Sequence, residues 1–145
     1  MENNEIIAEF MGMKPIKACG LRGGEYRNLY NIEHLSSIQI PVGSTGINAT
    51  INTRLIMASP EQLVFHSDWR WLMEVVEKIE ELHDANTPIV HISKSIGGGQ
   101  HYCDIDAKKY HKGTTVMVYG KTKIEAVYNA CVKFIKWYSE NNQKN

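Results

Sequence analysis

The chain lacks net charge: among its 145 residues, sixteen Lys and Arg balance sixteen Asp and Glu. A dedicated nucleic-acid binder carries a basic excess, so that role is disfavoured unless the charge is segregated on the surface. An apolar run of about 18 residues is also missing, as is a charged-then-apolar leader. The expectation is a soluble, cytoplasmic protein with no membrane partner. Cysteine is sparse, at three residues. Cys103 and Cys131 lie in apolar patterns and read as reduced core residues, whereas Cys19 is isolated in a loop. Asn48-Ala49-Thr50 matches a glycosylation acceptor, which has no meaning without a leader. No Walker-type Lys-Ser/Thr follows the turn Gly43-Ser44-Thr45-Gly46, and no cofactor is expected. With 43% hydrophobic and 22% charged residues, the chain has the composition of an ordinary globular domain. One domain over 1–145 is the expectation for this length.

What is present is best read from the last clear stretch. Ile124, Val127, Cys131, Phe134, Ile135 and Tyr138 recur at steps of three and four, an apolar stripe along one helix. Thr122 followed by Glu125 reads as a capping box at its start. A second long helix starts near Ser67, with Asp68 favourable to its dipole, and ends at Pro88. Its expected buried face is Trp69, Leu72, Val75, Val76, Ile79 and Leu82, with one of Trp69 and Trp71 facing the core. Between these helices the alternation of Val90 with Ile92, and of Cys103 with Ile105, around Gly97-Gly98-Gly99 predicts a hairpin. Matching its apolar faces puts His91, Ser93, Tyr102 and Asp104 together on the opposite face. Thr114 to Tyr119 reads as a third strand. The tail from Glu140 to Asn145 is expected to fray.

The first part is less regular. A short helix over Glu5–Met11, capped by Asn3 or Asn4, stops at Gly12. Residues 13–35 read as a loop over the core, where Arg22, Tyr26, Arg27 and Tyr30 alternate basic with aromatic character. Alternation over 36–57 predicts a hairpin that either extends the later sheet or stands apart. The fold expected is α+β: a small antiparallel sheet on two amphipathic helices in the order α-β-β-β-α, plus an N-terminal helix and hairpin. Its core spans about 63–140, and 13–60 is insertion-like.

The residues that could carry chemistry form four groups. His91-Ile92-Ser93 has the His-x-Ser/Thr form of a two-histidine phosphoesterase, but its only partner, His101-Tyr102-Cys103, has cysteine for the hydroxyl and points to the other face. His91, His101, Cys103 and Asp104 split across the two faces, so no side offers three metal ligands. Cys103 and Cys131 are too buried for nucleophilic work. Lys121 and Lys123, at a helix N-terminus with Lys94 near, are the most suggestive anion site, and a solvated helix start is the plainer reading. The chain is therefore expected to act by binding, without catalytic residues or a metal. The candidate ligand residues are Lys121, Lys123, Lys94, Arg22, Tyr26, His91 and Tyr102.

Two resemblances add to this. The stretches 7–12 (Ile-Ala-Glu-Phe-Met-Gly), 69–79 from Trp69 to Ile79, and 122–130 from Thr122 to Ala130 resemble the phage ABA-sandwich domain family, small phage and prophage proteins of Bacteroidetes. The resemblance covers residues 5–12 and about 63–140. It implies an α/β/α-like sandwich, phage or prophage origin in a host cytoplasm, and no established activity. A counter-defence role, such as sequestering a host nucleotide signal, is the function it suggests, with a homo-oligomer whose ligand sits at a subunit interface. Residues 120–127, from Gly120 to Val127, also resemble the lysine-rich start of the last helix in double-stranded-RNA-binding domains, though Ile124 and Val127 replace expected lysines. That makes a nucleic-acid-binding module the alternative. A phosphoesterase using His91 and His101, and a protein–protein adaptor, stand behind it.

Overall fold

A computed structural model describes residues 3–18, 27–32, 57–82, 88–95, 99–106 and 115–142. The described residues form three α-helices and two antiparallel sheets, an α+β fold. The chain divides into two compact units, 1–64 and 65–145.

In the first unit, α1 runs over Asn3–Phe10 and buries Ile7 and Ala8. Asn3 lies inside the helix rather than before it. Asn4 is not its cap either: its side-chain amide donates to the carbonyls of Pro60 and Leu63, at 3.1 and 2.8 Å. That pair ties α1 to a 3₁₀ turn over Pro60–Gln62. Gly12 ends the helix at φ 81°. There the Gly12 and Met13 N–H groups donate to the Glu9 and Ala8 carbonyls, both at 2.9 Å. Such paired return bonds need a left-handed residue, which glycine supplies without strain.

Residues 13–35 correct the expectation of an irregular loop. They contain β1 (Pro15–Ala18) and β2 (Arg27–Asn31), antiparallel with Pro15 opposite Tyr30. A two-residue β3 (Met57–Ala58) joins β2 on its other side. Tyr30 and Ile32, two residues apart, are both buried. The intervening asparagines hide this period of two in the sequence. Pro15 is tolerated because it opens an edge strand. The hairpin expected over 36–57 lies outside the described residues except for Met57.

In the second unit, α2 spans Trp69–Glu80. Its cap is Asp68 and not Ser67: Asp68 Oδ1 accepts from Arg70 N at 2.9 Å. The Arg70 guanidinium grips the same carboxylate at 2.8 Å and holds it below the usual carboxylate range. The helix stops before Pro88, closing at Glu81. Its core tryptophan is Trp71, 2% exposed, whereas Trp69 is 39% exposed. Trp71, Val75 and Ile79 follow at steps of four on one line, and Trp69 lies in the first turn, off that line. Phe65 meets the Trp71 ring edge-on at 5.2 Å.

The second sheet has the order β4 (Ile89–Lys94), β5 (His101–Asp106), β6 (Thr115–Gly120). Val90 faces Ile105 and Ile92 faces Cys103. Cys103 in turn faces Val118, and Ile105 faces Val116. The helix α3 (Lys123–Asn142) packs against β5 and β6. Its Ala126, Val127, Ala130, Cys131 and Phe134 are buried, as are Cys103, Ile105 and Val116 on the sheet. α3 continues through Asn142, with Asn141 Nδ2 donating to the Trp137 carbonyl at 2.8 Å, and the rest of the tail expected to fray, 143–145, lies outside the described residues. At the open edge of the sheet, Val90 N donates to Glu80 Oε1 at 3.2 Å. No helix among the described residues is long and apolar enough to cross a membrane.

Candidate ligand face

One face of the β4–β6 sheet is closed by α3, and strict alternation sends every second side chain to the other. That outer face carries Ile89, Met117 and Tyr119, which are 53%, 44% and 55% exposed. Met117 and Tyr119 are neighbours on β6, whereas Ile89 stands on β4 at the far end of the same face, across from Asp106. Tyr102 and Tyr119 are direct cross-strand partners. Their ring centroids lie 6.0 Å apart at an angle of 49°. Next along the same face, Asp104 stands between His91 on β4 and Met117 on β6.

The row beyond the two tyrosines, toward the sheet end, is Lys94, His101 and Gly120. Gly120 is required there. A Cβ on it would lie 2.6 Å from Ala126 N, because only Lys121 and Thr122 separate β6 from α3. Lys121 in this short connection and Lys123 at the start of α3, both exposed, follow the aromatic pair's end of the sheet. The first turn of α3 is capped as the sequence predicts, with a shift of one residue. Thr122 Oγ1 accepts from Glu125 N at 3.2 Å, and Glu125 Oε2 accepts from Lys121 N at 2.8 Å. The Glu125 carboxylate thus takes the Lys121 N–H just ahead of the helix and sets a negative charge beside its start.

Five of the seven candidate ligand residues are described. Tyr102 and His91 share the outer face; Lys94 lies at the end of β4 in phase with Ile92, on the other face, and Lys121 and Lys123 follow β6 at the same end of the sheet. Arg22 and Tyr26 lie outside the described residues. Tyr119 was not singled out, because the face it occupies depends on the β5–β6 register. The alternation of Val116 and Val118 with Met117 and Tyr119 was the available signal.

The two described cysteines do not support nucleophilic sulfur chemistry; Cys19 lies outside the described residues. Cys103 is buried, and that burial, with the Asp104 charge second, pushes its thiol up to about 12. Burial also raises the Cys131 thiol, with Cys103 adding to the effect. Both thiols stay protonated at neutral pH. Among the described residues no three His, Cys, Asp or Glu side chains come together as a metal site. In comparisons with protein-family models, curated proteins and solved structures, nothing matches this chain.

Proposed function

We propose that the protein acts by binding, not catalysis, and holds a nucleotide on the outer face of the β4–β6 sheet. The carrying observation is the Tyr102–Tyr119 pair on the outer face, Tyr102 half-buried and Tyr119 exposed, at the end of the sheet where Lys121 follows β6. Aromatic faces stack on any nucleobase, and lysines next to them suit its phosphate. The resemblance to phage ABA-sandwich domains supplies the biological setting: a phage or prophage protein that sequesters a host nucleotide signal as counter-defence.

The test is a titration of the full chain with nucleoside 5′-monophosphates, in the parent and in Tyr102→Ala and Tyr119→Ala. One stacked base is worth about 1–3 kcal/mol, so each variant should bind about tenfold more weakly or worse. Equal affinity in parent and both variants overturns the reading. The alternative, nucleic-acid binding through Lys121 and Lys123 at the start of α3, predicts affinity for RNA or DNA that falls steeply with salt. A small nucleotide, making few ionic contacts, predicts a shallow dependence.

A further inference from the structure

Both described thiols are buried, so the sulfur that solvent reaches lies elsewhere. Met117 on the outer face is 44% exposed and Met73 on α2 is 37% exposed, whereas Met13 is only 4% exposed. Met117 also has a partner. Tyr119 Oη, two residues further along β6, donates to Met117 Sδ at 3.5 Å. Sulfur's large radius makes that separation an ordinary O–H···S contact, with the thioether as a weak acceptor. Met73 has no such donor among the described residues.

An exposed thioether is open to oxidation by peroxide. A sulfur lone pair attacks one peroxide oxygen, the S–O bond forms, and the O–O bond breaks. The departing hydroxide takes the proton left on the transferred oxygen and becomes water. Sulfur thereby loses two electrons, and the peroxide gains them. The sulfoxide is polar and chiral at sulfur, because oxygen can enter at either of two lone pairs. In Met117 the Tyr119 hydroxyl engages one of them, and attack through it must first break that bond. Oxygen therefore enters at the other.

We propose that Met117 is a peroxide-modification site, oxidised to one sulfoxide epimer that the Tyr119 hydroxyl selects. Each epimer is reduced by its own class of methionine sulfoxide reductase, so this mark is erased by one enzyme class. The site stands whether or not a nucleotide binds the same face. The experiment treats the folded full chain with dilute hydrogen peroxide and follows each methionine by peptide mass spectrometry. The sulfoxide peptides are then incubated with either reductase class alone. Met117 is expected to oxidise at least as fast as Met73 and much faster than Met13. One reductase should repair its sulfoxide in about fivefold or greater excess over the other, the ratio set by one hydrogen bond of ordinary net worth. The Met73 sulfoxide, formed without a directing donor, should divide nearly equally between the two. Tyr119→Phe removes only the hydroxyl from an exposed ring and should bring Met117 to the same equal division. An equal mixture at Met117 in the parent, or an excess that survives Tyr119→Phe, overturns the selection. Oxidation of Met117 no faster than that of Met13 overturns the site itself.

Discussion

The two faces of the β4–β6 sheet are built from residues that alternate along the same three strands, yet they have opposite fates. Ile105, Cys103 and Val116 are shut against α3, whereas Met117 and Tyr119, each one residue from a core position, stand open. The inner face is specified by volume and the outer face by chemistry. A period of two therefore lets one strand serve stability and recognition with no sequence separation between them.

The contrast can be broken most severely from the inside. Ile105→Ala removes a fully buried side chain and should cost about 2–5 kcal/mol in denaturant unfolding. Gly120→Ala comes next, since its new Cβ meets the Ala126 backbone, which cannot swing away. An overpacking cost of about 1–3 kcal/mol is expected, seen as a lower Tm. Alkaline pH probes the same face without mutation. The native state keeps the Cys103 proton, held up to about 12, where an unfolded thiol releases its own near its ordinary value of 9.0. Stability is thus intact below about pH 9 and should decline as pH rises toward 12. The raised Cys131 thiol acts in the same direction, so Cys103→Ser should weaken that decline without abolishing it, which a pH series of unfolding curves measures. Smallest in stability is Tyr119→Ala on the outer face, within about 0.5 kcal/mol of the parent. The same variant loses nucleotide affinity about tenfold. A large Tm drop in Tyr119→Ala would show that the outer face is structural after all.

The elements with strong periodicity were legible in the sequence. The β4–β5 register followed from matching Val90 and Ile92 with Ile105 and Cys103, since any slip of one residue would expose them. Glu125 and Thr122 marked the start of α3 because capping is a local interaction. What escaped depends on partners distant in sequence. The strands β1 and β2 are short and rich in polar residues, and their pairing is non-local. Trp69 and Trp71 are two residues apart, and a packing partner, Phe65, distinguishes them. The candidate site was half legible. Tyr102, His91 and the three lysines came from pattern, whereas Tyr119 required the β6 register. The charge on Glu125, read as a cap, proved also to compete with an anion at the helix start.

The bond from Val90 N to Glu80 Oε1 has a consequence for behaviour in a crowded solution. Among the described residues β4 ends the sheet, and a terminal strand with a vacant donor is a template for a foreign chain, by domain swapping or fibril growth. The carboxylate fills that donor and places a negative charge where an incoming backbone would dock. One side chain of α2 thus removes a docking point from that strand.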